Sequence, residues 1–258
     1  MARIVCVVNQ KGGVGKTTTA VNLSASIAVA EKRVLLIDID PQGNSTSGVG
    51  LTKEGAQQTI YQALLRGSGL REMIQKTELA FLDVVVSNTD LIGAEIELIQ
   101  EKDRERKLFH LIKEVEEDYD YVFIDCPPSL GLLTINSLTA AHSVIIPLQC
   151  EYYAMEGLGQ LLKTIRLIKQ SLNPRLEIEG ILLTMFDGRN NLSHQVAEEI
   201  RKHFKDKVFN TVIPRNIRLS EAPSYGKPVL LYDIHSKGAE SYLDLAREIL
   251  ADGRIHGD

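Results

Sequence analysis

Ile4-Val5-Cys6-Val7-Val8-Asn9-Gln10-Lys11-Gly12-Gly13-Val14-Gly15-Lys16-Thr17-Thr18-Thr19 is the stretch from which the rest of the chain is read. Ile4 to Val8 is a short apolar, β-branched run without helical period, the pattern of a strand buried on both faces of a parallel sheet. Gly12, Gly13 and Gly15 allow backbone angles closed to other residues. They also remove side chains that would keep phosphate oxygens from the main-chain N–H groups of the loop, that of Val14 included. The loop feeds a helix N-terminus, whose unpaired N–H groups and dipole favour an anion. Lys16 supplies a point charge for β and γ phosphates, the Thr17 hydroxyl a magnesium ligand, and Thr18 a bond to an α-phosphate oxygen. Three glycines alone read equally well as a tight turn. Lys16-Thr17 between a strand and a helix makes this a phosphate loop.

The loop is a variant. The general pattern asks for Gly, four residues, then Gly-Lys-Ser/Thr, and the first position here is Gln10. A second lysine, Lys11, stands before the glycines. With Lys16 serving the nucleotide from within, Lys11 is free to reach the phosphates held by a second subunit, which makes ATP a glue between two copies.

At 258 residues and 44% hydrophobic, the chain can bury a full core, and a single domain over residues 1–258 is expected. No run of about 18 apolar residues is present and the chain opens on a strand, so a cytoplasmic protein is expected. Cys6, Cys126 and Cys150 lack metal spacing and are odd in number, which suits small buried residues in a reducing compartment. The net charge of −5 argues against a surface coated with nucleic acid. Residues 1–150 hold 14 Lys+Arg against 19 Asp+Glu, whereas 189–227 hold 8 against 4, so a local basic patch late in the chain is compatible with the acidic total.

Strands and helices alternate along the chain, which predicts an α/β fold: a doubly wound, mainly parallel sheet with helices on both faces. A helix is expected over 17–30 and a strand over 34–39 that ends in Asp38-Ile39-Asp40-Pro41-Gln42-Gly43. Carboxylates at the C-terminal end of a parallel strand face the ligand crevice. Asp40 is the candidate for orienting an attacking water, and Asp38 for magnesium or loop support. Residues 43–57 read as a polar loop, 60–65 and 70–74 as short helices, 81–86 as a strand and 91–113 as a charged helical stretch with a solvated face. Tyr121-Val122-Phe123-Ile124-Asp125 presents a carboxylate from a buried strand, the usual partner of a phosphate loop toward magnesium through a water. Further strands are expected over 143–148, 178–185 and 208–213, with helices over 155–172, 193–204 and 236–250.

The loop, the Asp-Ile-Asp-Pro-Gln-Gly-Asn turn and Phe-Ile-Asp-Cys-Pro-Pro-Ser together resemble the ParA/Soj chromosome-partitioning ATPases. The likeness runs on through Pro-Leu-Gln-Cys-Glu-Tyr-Tyr-Ala-Met-Glu-Gly and Val-Ile-Pro-Arg-Asn-Ile-Arg-Leu-Ser-Glu-Ala-Pro-Ser to Gly-Ala-Glu-Ser-Tyr-Leu-Asp-Leu-Ala. It is to the short form, without an N-terminal DNA-binding extension. The resemblance implies ATP and Mg2+ as cofactors and an ATP-dependent homodimer that binds double-stranded DNA without sequence preference on the nucleoid. It also implies slow hydrolysis stimulated by a ParB/Spo0J-type partner. By position, it makes Lys11 the signature lysine crossing the dimer, Lys16 the phosphate lysine, Thr17 the magnesium ligand, Asp40 the hydrolysis aspartate and Asp125 the magnesium support. Pro214 and Asn216 match positions that hold adenine, and Arg189 and Arg218 match arginines of the DNA-binding surface. Without the resemblance, both arginines read as ordinary surface residues.

The rival reading is a MinD-like membrane-positioning ATPase. That class ends in a basic amphipathic helix, whereas 239–258 is net acidic and closes on Gly-Arg-Ile-His-Gly-Asp, so no membrane anchor is expected. A reductase similar to the nitrogenase iron protein needs cysteines in settings that Cys126 and Cys150 do not occupy. A related tyrosine kinase needs a C-terminal tyrosine cluster, which is lacking. A nucleotide-binding dimer switch without turnover is disfavoured by Asp40.

Overall fold

The computed structural model describes residues 1–54 and 56–251. The chain forms a seven-stranded sheet in the order β3-β4-β2-β5-β1-β6-β7. Its strands are β1 Arg3–Val7, β2 Val34–Asp38, β3 Ile74–Lys76, β4 Leu82–Val85, β5 Tyr121–Asp125, β6 Ser143–Gln149 and β7 Glu177–Thr184. Every pairing is parallel except that of β3 with β4. The mainly parallel doubly wound sheet expected from the sequence is therefore present, with a short antiparallel edge strand where a helix was expected to end.

Alternation along the strands sorts side chains to two cores. Ile4, Cys6, Leu35, Ile37, Val122 and Ile124 face one, and Val5, Val7, Val34, Leu36 and Phe123 the other. The first core is covered by α3 Ile60–Leu65, α4 Leu91–Leu98, α5 Lys107–Lys113, α6 Leu132–Ala140, α7 Ala154–Ser171 and α8 Asn191–Phe204. The second is covered by α1 Lys16–Ala28 and by α11 Lys237–Ala251. Tyr242 of α11 is 1% exposed, and its hydroxyl lies 3.1 Å from that of Thr19 in α1. Three short helices, α2 Asn44–Gly48, α9 Ile217–Glu221 and α10 Val229–Tyr232, sit in the loops between.

Several expectations need correction. The polar stretch 43–57 contains α2, because Asp38 accepts the Thr46 amide and hydroxyl, both at 2.8 Å, and so organises that turn. The stretch 91–113 is two helices rather than one, and Asp103 in the break takes a left-handed φ of 54°. Residues 208–213 form no strand. Phe209 and Ile213 donate to β7 carbonyls, but the amides of Asn210 and Thr211 go to the Glu248 carboxylate at 2.7 and 2.9 Å, which interrupts the ladder. The α6 segment was not read as a helix from the sequence.

Candidate nucleotide site

The phosphate loop leaves the C-terminal end of β1 and is pinned at three points. Asn9, 3% exposed, donates to the Pro147 carbonyl at 2.8 Å and accepts the Lys11 amide at 3.0 Å. Gln10 donates to the Gly157 carbonyl and the Gln160 side chain, at 3.1 and 3.0 Å. Thr184, at the end of β7, donates to the Val14 carbonyl at 2.8 Å. Gly13 and Gly15 take φ of 73° and 87°, the left-handed region that favours glycine. A Cβ at Gly12 or Gly13 would meet nothing within 4 Å, so the loop backbone faces open space.

Lys16 opens α1 and is 6% exposed, with its ammonium donating to the Lys11 carbonyl at 3.0 Å. Burial lowers its pKa, and the nearby Asp125, Cys126 and Asp40 oppose the shift. Lys11 points outward and pairs with the exposed Glu151 beyond β6.

The acidic half of the site comes from β2 and β5, whose register sets Asp38 opposite Asp125. Both are fully buried. Asp125 Oδ2 accepts the Ser45 hydroxyl at 2.7 Å, while Oδ1 has no hydrogen-bond partner. Burial first, and the Asp38 charge second, push the Asp125 pKa up to about 8, against the pull of the Ser45 and Thr17 hydroxyls. Asp38, raised to about 6 by burial, accepts the Thr46 amide and hydroxyl and the Asp40 amide, and so ties the loop to β2. Asp40, 6% exposed, accepts the Gln42 amide at 2.9 Å, and its carbonyl accepts the Ser87 hydroxyl.

A buried carboxylate oxygen without a hydrogen-bond partner, beside the Thr17 hydroxyl, is an all-oxygen donor set of the kind a hard cation takes. Thr17, Ser45 and Asp125 therefore fit magnesium on donor chemistry. Sequence reading missed Ser45, Thr184 and Glu151. Ser45 lies one residue past the Asp-Pro-Gln-Gly-Asn turn that was read, yet a serine there carries no signal until β5 is placed beside it.

Gly15 approaches Thr184 and Met185 at the end of β7. The next residue, Phe186, bridges to Pro214, so 214–216 is brought alongside the loop. Asn216 caps α9, its side-chain oxygen accepting the Arg218 amide at 2.9 Å. The two arginines are engaged within their own segments. Arg189 pairs with Asp187 at 3.0 Å, and Arg218 with Glu221 at 2.7 Å and Asp233 at 3.1 Å. The apolar side of α11, in Ala239, Tyr242, Leu245, Ala246 and Ile249, is buried. The closing Gly-Arg-Ile-His-Gly-Asp lies outside the described residues. No helix among the described residues is long and apolar enough to cross a membrane.

Fold and loop together define a nucleotide-binding protein of the phosphate-loop class. A family described as an AAA domain matches residues 2–178. The chain is 59% identical to the chromosome partitioning protein ParA of Myxococcus xanthus over 97% of this chain and 88% of that one. It is 58% identical to the sporulation initiation inhibitor protein Soj of Bacillus subtilis over 98% and 100%. Among solved structures, cobyrinic acid a,c-diamide synthase from Mycobacterium smegmatis with bound ADP and magnesium superposes with a TM-score of 0.87 at 36% identity, over 100% of this chain and 97% of that one. The chain belongs to the ParA/Soj family of chromosome-partitioning ATPases.

Proposed function

We propose that this chain is a magnesium-dependent ATP hydrolase that works as a dimerisation switch on DNA. The observation that carries the reading is the pairing of an open glycine loop around Lys16 with the unpartnered Asp125 Oδ1. The loop amides from Gly12 to Gly15, with Lys16 and Thr18, would hold the phosphates. Thr17 and, through a water, Asp125 would hold magnesium, which supplies charge neutralisation at the phosphate oxygens. Pro214 and Asn216 would flank the adenine. Asp40 would orient the attacking water.

Lys11 is the residue that makes the switch. It sits on the outer side of the loop, and its ammonium is held, among the described residues, only by a half-exposed ion pair, a tie worth at most about 1 kcal/mol. Exchange of Glu151 for the nucleotide of a second copy is therefore cheap, and it would place a cation where transition-state charge develops. Arg189 and Arg218, doubled by a two-fold dimer, would add phosphate contacts whose effect on DNA affinity compounds. A ParB/Spo0J-type partner would then raise a slow basal rate and release the dimer from the nucleoid. A MinD-like role at a membrane gains no support, because the apolar side of α11 is buried.

The test is binding to nonspecific duplex DNA with ATP, ADP or no nucleotide, for the wild type, Lys11→Ala and Asp40→Ala. ATP-dependent binding lost in Lys11→Ala and kept in Asp40→Ala supports the switch. Binding indifferent to nucleotide, or absent throughout, overturns the DNA part.

A further inference from the structure

At the end of the sheet away from the phosphate loop, α5, α6 and the segment after α7 line a half-open surface cavity of about 290 Å3. Helices α6 and α7 run back antiparallel to the strands they follow, so their C-terminal ends lie where the strands begin, opposite Lys16. Phe109, Leu172 and Pro174 give the cavity an apolar lining, and Arg106 and Arg175 join them. Asn173 fixes one wall, donating to the carbonyls of Leu138 at 3.0 Å and Ala141 at 2.7 Å.

The two guanidiniums are unpaired with any carboxylate among the described residues. The carboxylates nearest Arg106 in sequence are taken elsewhere: Glu101 by Lys107, Asp103 by His110 and Glu105 by Arg104. Among the described residues, Arg106 makes only a long hydrogen bond, 3.4 Å, from its guanidinium to the Leu172 carbonyl. In a chain of net charge −5, two free forks beside an apolar slot select for carboxylates. The volume sits at the small end of the roughly 300–1,000 Å3 typical of ligand pockets, room for one large side chain rather than a whole nucleotide. A side chain buried in a pocket with charged flanks is the usual anchor of a peptide interface.

We propose that this cavity docks an acidic peptide segment of a partner protein, one apolar side chain seated on Phe109 and Leu172 and its flanking carboxylates on Arg106 and Arg175. The site goes beyond the nucleotide switch and does not depend on it. A partner held there does not compete with nucleotide at the opposite end of the sheet.

The experiment titrates the 15N-labelled full chain, with ADP and magnesium present, with a capped peptide of one phenylalanine flanked on each side by two glutamates. A lysine-flanked peptide, inorganic phosphate and AMP serve as comparison probes. Saturable shifts at the amides of Arg106, Phe109, Asn173 and Arg175 are expected with the acidic peptide alone. They should weaken about tenfold in the Arg106→Glu, Arg175→Glu double variant and between about 50 and about 500 mM salt. Both residues are exposed, so an unchanged melting temperature and ADP affinity certify the variant's fold. Absence of saturable shifts, or equal affinity in the double variant, overturns the proposal. So does phosphate or AMP producing the same shifts as strongly, which marks a small-anion site instead.

Discussion

Asp38 and Asp125 stand opposite one another in register on neighbouring parallel strands, both fully buried, and only Asp38 has both its oxygens satisfied by hydrogen bonds. Two carboxylates so placed cost stability in the free protein, and that cost marks the spot where a cation is wanted.

Asp125→Asn removes one charge from that pair while its side-chain oxygen can still accept from Ser45. Above about pH 8, where Asp125 is ionised in the folded chain, the free variant should be more stable than the wild type by on the order of 1–3 kcal/mol, the effect of relieving an uncompensated buried charge. Its nucleotide affinity should lose most of its dependence on magnesium. Denaturant melts and nucleotide titrations with and without EDTA check both halves. A destabilised variant would show that the carboxylate is structural.

Glu151 holds Lys11 within one chain. Both side chains are close to half exposed, so Glu151→Gln should leave the melting temperature nearly unchanged while releasing Lys11. ATP-dependent self-association, followed by sedimentation, should tighten by up to about fivefold, the equivalent of about 1 kcal/mol. Weaker association would mean that Glu151 itself belongs to the interface.

The position of the phosphate loop and of Asp40 and Asp125 relative to it was legible because each sits at or just past the end of a strand, where spacing and residue type coincide. Most of the sheet was legible because its central strands are near-continuous apolar runs. What failed depended on partners distant in sequence. Residues 208–213 look like a strand, and only Glu248 of α11, 38 positions from Asn210, takes the amides a ladder would need. The arginines illustrate the same limit from the other side. The resemblance singled out Arg218 but gave no sign of Asp233, which holds it together with Glu221.

His142 supplies a pH test away from the nucleotide. Its Nδ1 accepts the Ile4 amide at 3.1 Å, which requires that nitrogen unprotonated. Burial lowers its pKa, and the Lys113, Arg175 and Arg3 charges add to the effect against Glu116. The unfolded chain therefore binds this proton first as pH falls, so stability is retained above the ordinary histidine value near 6.5 and lost as pH drops below it toward the folded pKa. Denaturant midpoints between about pH 7.5 and about 5.5 should fall more steeply for the wild type than for His142→Asn. Parallel curves would remove His142 from the account.

Gly50, just after α2, and Gly226, before α10, meet backbone to backbone. A Cβ on Gly50 would lie 2.8 Å from the Gly226 carbonyl oxygen, and one on Gly226 would lie 2.9 Å from the Gly50 Cα. Both are left-handed, with φ of 85° and 63°. The contact joins the turn that carries Asp40 to the segment that follows Asn216 and Arg218. Gly50→Ala and Gly226→Ala should each cost about 1–3 kcal/mol, from backbone strain together with the clash. Because both substitutions open the same contact, the double variant should cost less than the sum of the two by more than about 0.5 kcal/mol. Strict additivity would show that each glycine answers only to its own turn, and that the two halves of the site move independently.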